Sequence, residues 1–321
     1  MKTDHWQPSA TIETLKKRAA MLALIRQFFA QREVFEVDVA VLSANAVSDP
    51  YIDSMAVSYR HFPEDSLQEY YLQSSPEYAM KRLLAANSGC IYQMSKVFRN
   101  GEIGRKHNPE FTMLEWYRLG FDEQELMCEV AELITLCCGI SHFNHFSYQQ
   151  LFEQFLAVDI YRATDAELGI IMNSYVEVKG IQDRDTWLNM LMSHCIEPQL
   201  MGAVFVYDYP ASQSALARLK ADQNGRQVAA RFELFIDGIE LANGYHELTD
   251  ADQQKKRLEA DQQQRKILNL PQRPLETRLV SALQQGLPDC AGVALGVDRL
   301  MMLALKKDSI NEVLAFDFSR A

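Results

Sequence analysis

The sequence predicts an α+β fold, a mainly antiparallel sheet flanked by helices, on three observations. Two aromatic and β-branched runs, 92–99 and 110–118, flank a loop at 101–109 too rich in turn formers and charges to continue either run. A second pair of strands in 228–247 folds about Asp237-Gly238, a strong hairpin signal. Near the C-terminus, GVALGVDRLMML (292–303) reads as a strand running into an apolar helix.

The remaining elements follow in order. Residues 11–32 have helical periodicity, with Leu15, Ala19, Leu22, Ile25 and Phe29 expected on one face. Residues 34–42 then alternate like a strand, and 71–73 form a short one. SPEYAMKRLLAA starts a helix after Ser75 and Pro76, and 123–138 is amphipathic through Leu126, Val130, Leu133 and Cys137. Residues 146–200 read as mostly helical and turn-rich, a candidate small insertion. A buried strand at 202–207 precedes the hairpin, and 249–270 is a charged, glutamine-rich helix with a solvated face.

Composition bounds the function. Of 321 residues, 48 % are hydrophobic and 23 % charged, ordinary for a globular chain. The first residues lack an apolar core of signal-peptide length, and no later run reaches membrane-spanning length. The six cysteines show neither a C-x-x-C pair nor scaffold spacing, which predicts free thiols in a reducing cytoplasm. A net charge of −11 argues against tight nonspecific nucleic-acid binding, whose affinity comes from Lys and Arg on phosphates.

Three groupings carry chemistry. Between the first two strands, Arg99 suits a bidentate phosphate grip and Phe111 an adenine face, although a charge-rich hairpin in isolation reads as a solvated loop. Arg299 sits where a helix starts, a natural phosphate site. In RFELFIDGIELANGYHEL, Glu233, Glu240 and Glu247 recur every seven residues; the turn makes this a hairpin, across which Glu233 and Glu240 are expected to oppose each other. Two carboxylates with phosphate oxygens are a suitable ligand set for Mg²⁺.

The order of these residues matches a known pattern. RNGE followed by HNPEFTMLEWY resembles motif 2 of the class II aminoacyl-tRNA synthetases in its lysyl-specific form, and 292–303 resembles motif 3. The helix and strand at 11–42 resemble motif 1, the family's dimer element, and the glutamate-spaced hairpin is similar to the lysyl family's. Three departures stand out. The chain reads EVDVA (36–40) where the family has a proline; Gly101 replaces a glutamate, with Glu102 next to it; and Ala294 adds a methyl where the lysyl enzymes have glycine.

The resemblance implies a single class II catalytic domain over 1–321, with no anticodon-binding domain ahead of it. It implies ATP and Mg²⁺ as cofactors. Arg99 and Arg299 would be the catalytic residues. Arg99 would hold the α-phosphate and substrate carboxylate, His107 the outer phosphates, and Phe111 the adenine. Arg299 would lie on the other adenine face or near the γ-phosphate. Asn100, Gly101, Asn108, Glu240, Leu241 and Gly296 would line the ATP site, and Glu233 and Glu240 would bind the metal. Glu247 and Tyr117 would hold the distal amine of a lysine-like substrate, and Glu77 and Glu115 the nearer one, with Ser75, Pro76 and Ala294 completing the pocket. The related aspartyl and asparaginyl enzymes carry glutamine at the position of Glu77, so the acidic pocket selects a dication. The missing anticodon domain and the acidic balance imply a truncated branch of the family, in which the acceptor of (R)-β-lysine is a lysine side chain of elongation factor P. A cytoplasmic homodimer without stable tRNA binding is expected. Two alternatives stay open: a core that charges tRNA with lysine, and a catalytically inactive regulatory paralogue.

Overall fold

The computed structural model describes residues 6–178, 180 and 182–321; the reading of the leader falls partly on 1–5, outside the described residues. The fold is α+β, with mixed, mostly antiparallel sheet and flanking helices. The chain divides into two compact units, 1–120 with 136–138 and 249–321, and 121–135 with 139–248.

In the first unit, α1 (Ile12–Ala30) is capped by Thr11, whose side chain accepts from the Thr14 amide. Its buried face is Thr14, Met21, Ile25, Phe28 and Phe29. The expected face is therefore rotated: Ala19 is exposed, and Leu15 and Leu22 line a cavity of 820 Å³ with Phe316 and Phe318. The strand expected at 34–42 survives only as β1 (Phe35–Glu36) and β2 (Leu42–Ser43). Between them the Val39 amide donates to the Gln93 side chain at 2.8 Å, so a side chain replaces the ladder partner.

β2, β3 (Ala56–Tyr59) and β4 (Gln68–Leu72) make a separate antiparallel sheet in the order β2-β4-β3. Beyond β4, helix α2 (Glu77–Ala85) begins after Ser75 and Pro76. β5 (Ile91–Phe98) and β6 (Glu110–Leu119) are the expected antiparallel pair, and β1 lies parallel to β5.

The second unit opens with α3 (Glu123–Cys138), whose start is fixed by a capping box between Asp122 and Glu125. After β7 (Phe143–Ser147), the expected helical region holds α4 (Tyr148–Leu156), α5 (Asp165–Tyr175) and α6 (Arg184–Leu191), then a short π-helical and 3₁₀ stretch. These pack on β8 (Ala203–Pro210) and on β10 (Gln227–Ile236) through Tyr148, Phe152, Trp187, Leu191, Val206 and Phe235. A short β9 (Leu219–Ala221) pairs with β10.

β10 and β11 (Ile239–His246) are joined by Asp237-Gly238, both at positive φ (48° and 70°), as a two-residue type I′ hairpin turn requires. Returning to the first unit, α7 (Ala251–Ile267) and α8 (Thr277–Gln285) precede β12 (Cys290–Gly296), which runs antiparallel to β6 and directly into α9 (Val297–Leu305).

Candidate active site

Strand alternation builds the floor of the site in the first unit. On β6, Thr112, Leu114 and Trp116 point to one side, and there Trp116 packs edge-on against Phe29 of α1. Phe111, Met113, Glu115 and Tyr117 take the other face. Cross-strand register puts Gln93 of β5 and Ala294 of β12 on either side of Glu115. Gly292, Ala294 and Gly296 alternate along β12, so that strand contributes little bulk to this face.

At the centre is an acidic pocket. Glu115 is 2 % exposed and accepts hydrogen bonds from Ser75 Oγ (2.7 Å) and Tyr117 Oη (2.8 Å). Burial, reinforced by the charge of Glu77, pushes its carboxyl up to about 8. Glu77, the first residue of α2, pairs with Lys81 one turn on at 2.7 Å, and that lysine is only 1 % exposed. One permanent cation thus serves two carboxylates. Buried carboxylates short of positive charge are costly, and a cationic ligand relieves that cost.

The residues expected at the nucleotide site gather at the end of β5. The Arg99 amide continues the ladder to Pro109 O at 2.9 Å. Its guanidinium lies 5.2 Å from the centre of the Phe111 ring and 3.7 Å from Glu102. Gly101 has φ +77°, a conformation that suits glycine and disfavours the family's glutamate, and the neighbouring carboxylate is that of Glu102. Arg299, on the first turn of α9, donates to His107 Nε2 at 2.7 Å. Because a guanidinium only donates, His107 accepts there through a neutral ring nitrogen. The Asn108 side chain is occupied by backbone groups, donating to Glu110 O and accepting from the Phe318 amide, so any part it has in the nucleotide site is through its backbone.

The second unit carries the glutamate-spaced hairpin. Counted from the two-residue turn, Glu240 faces Phe235, and a register shift between Leu234 and Phe235, with Leu241 as the extra residue, puts Glu233 opposite Asn243. The expected direct opposition of Glu233 and Glu240 is therefore replaced by a diagonal relation. Both Glu233 oxygens already have donors: Arg231 and Asn243 on one, Tyr209 on the other. Burial raises its carboxyl; Arg231 works against that and Glu240 adds to it. Among the described residues no three His, Cys, Asp or Glu side chains form a metal cage. A metal at Glu233 would have to displace one of these donors. Glu247, 1 % exposed, lies at the end of β11, where its backbone bridges to Ala217.

Sequence reading missed Lys81, Arg231, Tyr209 and Asn243, which orient the predicted carboxylates. The i to i+4 spacing of Glu77 and Lys81 was a usable signal; the contacts of Glu233 depend on strand pairing.

A strand-to-helix junction bearing arginine, a preceding antiparallel pair ending in arginine, and an acidic pocket between them define a class II synthetase site. The family model for tRNA synthetases class II (D, K and N) matches residues 5–320, and the chain belongs to that family. Its relatives narrow the comparison. A Pseudoalteromonas translucida protein named elongation factor P–(R)-β-lysine ligase is 47 % identical over the full length of both chains. Proteins of the same name from Pasteurella multocida and Vibrio parahaemolyticus are 44 % and 46 % identical, covering 99 % and 98 % of each chain.

Proposed function

We propose that this chain is an ATP-dependent ligase that activates (R)-β-lysine as an adenylate and transfers it to a lysine side chain of elongation factor P. The observation that carries this reading is the pocket of Glu115 and Glu77, with a single lysine between them and Ala294 beside Glu115. It favours a diamino acid and leaves less room on the floor than glycine would. Both units are read as parts of one catalytic domain, in keeping with the family match over 5–320.

The substrate carboxylate attacks the α-phosphorus of ATP, forming a P–O bond as pyrophosphate leaves. The acceptor ε-amine, as free base, then attacks the adenylate carbonyl; AMP departs and the nitrogen loses a proton. Arg99 neutralises charge at the α-phosphate, His107 and Arg299 take the outer phosphates, and Phe111 stacks on adenine. Glu77 and Glu115 hold the nearer amine and Glu247 and Tyr117 the distal one, with Ser75 beside Glu115. Preorganised charge and orientation supply the catalysis without a side-chain nucleophile. Mg²⁺, when bound, would neutralise the triphosphate; Glu233 and Glu240 would hold it, Glu233 by exchanging one of its donors.

A homodimer is part of this reading, with the Leu15 and Leu22 face of α1 and half-exposed Phe316 and Phe318 as the surface to be covered. So are a cytoplasmic location and the absence of stable tRNA binding. No helix among the described residues is long and apolar enough to cross a membrane. ATP–pyrophosphate exchange with (R)-β-lysine and α-lysine in parallel, followed by intact mass of elongation factor P, tests the reading. β-Lysine-dependent exchange and a gain of one lysyl residue on the protein are expected. Preference for α-lysine with charged tRNA, or no exchange at all, would overturn it.

A further inference from the structure

Asn100 follows the proposed catalytic Arg99, and it is held from outside the loop. Its Nδ2 donates to Asp53 Oδ2 at 2.7 Å, and its amide donates to Asp53 O at 2.8 Å. The other carboxylate oxygen of Asp53 accepts from Arg273 Nη2 at 2.9 Å, and Arg265 stands 4.0 Å away. Those arginines are themselves fixed. Arg273 is 9 % exposed, with its guanidinium 5.0 Å from the Tyr71 ring. Arg265 is buried and donates to Pro271 O and Asp49 O. Beyond Asn100, Gly101 offers no side chain, and nothing lies within 4 Å of where its Cβ would be. The next side-chain tether is the Glu102–Arg99 pair. Asp53 therefore links the start of the nucleotide loop to Arg273, just past α7, and to Arg265 near the end of that helix.

We propose that Asp53, braced by Arg273, is a positioning residue that sets the Arg99–Gly101 segment for ATP. The inference rests on the nucleotide role given to Arg99 and Asn100 above. Asp53 is 43 % exposed, so its ion pair adds little to global stability. Its influence is local. Burial works against ionisation of Asp53, but the hydrogen bonds from Asn100 and Arg273 outweigh it and hold the carboxyl below its ordinary range.

The test is ATP–pyrophosphate exchange by the full chain with Asp53→Ala, Asp53→Asn and Arg273→Met, varying ATP and diamino acid separately. Asp53→Ala should raise the KM for ATP about three- to tenfold, the loss of one solvent-screened, charge-assisted hydrogen bond, and leave the KM for the diamino acid unchanged. Asp53→Asn keeps an acceptor for Asn100 and should fall between Asp53→Ala and the parent. The Asp53→Ala/Arg273→Met pair should be no worse than Asp53→Ala alone, since both act along one path. A folded Asp53→Ala variant with the parental KM for ATP, or with both KM values raised equally, overturns the inference. If Asp53→Ala does not fold, Arg273→Met carries the same test, because methionine keeps the packing on Tyr71. Absence of exchange in the unaltered chain would strike the proposed activity itself, whereas normal exchange with an unmoved KM strikes only the clamp.

Discussion

Glu115 and Glu123 are both buried glutamates, and their surroundings drive them in opposite directions. At Glu115, burial and then the neighbouring charge of Glu77 raise the carboxyl to about 8. At Glu123, on the first turn of α3, burial works the same way, yet hydrogen bonds from His246 and Lys220 outweigh it and bring the carboxyl down to about 2. Lys220 also pairs with Asp208 at 2.8 Å, so one lysine reaches both carboxylates there directly. At Glu115 the nearby lysine, Lys81, is bound to Glu77 instead. A buried acid that owns its counter-charge maintains structure; one that lacks it is ready for a charged ligand.

The largest expected break in this contrast is Glu115→Gln. Loss of a buried partner for an ammonium should lower kcat/KM for the diamino acid by about 10²- to 10³-fold, with the melting temperature unchanged or higher. A steady-state assay and a thermal melt on one preparation check both halves. Ala294→Gly comes next. Removing the methyl beside Glu115 should move relative kcat/KM toward α-lysine by about tenfold, within the 1–3 kcal/mol that such a group is worth. Equal ratios for variant and parent would remove Ala294 from the specificity argument. Glu123→Gln should do the reverse of Glu115→Gln, costing about 1–2 kcal/mol in denaturant unfolding and leaving the kinetics nearly intact.

The finest discrimination is in pH. The carboxyl of Glu115 is raised by folding, so its contribution is fully present below its ordinary 4.5 and is lost as pH climbs through about 8. Glu123 is depressed, so its contribution is present above 4.5 and is lost as pH falls toward about 2. Stability profiles of the unliganded chain should therefore lose their decline toward mild alkali in Glu115→Gln and their acid-side fall in Glu123→Gln. In the parent at neutral pH, diamino-acid binding should release up to about one proton, read by calorimetry in buffers of different ionisation enthalpy.

What the sequence disclosed depended on how local the cause was. The Asp237-Gly238 turn, the β5–β6 pair and the alternating small residues of β12 are set by neighbours in the chain, and all were legible. So was the placing of Phe111 and Glu115 on a strand and of Arg299 at the start of a helix, through their order. The strand at 34–42 was overread because the alternation was real but Gln93 captured the Val39 amide. The opposition of Glu233 and Glu240 failed because the two-residue turn puts Phe235 opposite Glu240, and the bulge then moves Glu233 one residue further away. Lys81, Arg231 and the Asp53–Arg273 link went unread; the last joins positions far apart in sequence, and no local pattern encodes it.

The hairpin turn also bears on how far this enzyme could be trimmed. A Cβ on Gly238 would come within 2.6 Å of Glu197 O, and Asp237 Oδ1 accepts from the Gly202 amide. The turn that registers Glu233 and Glu240 is seated against the end of the 146–200 region, whose apolar side chains also pack on Phe235. A minimal version lacking that region would uncover the back of the strands that bear the acidic residues and release the tip that keeps them in step. The helical region, which in sequence reads as an insertion, is the foundation on which the hairpin stands.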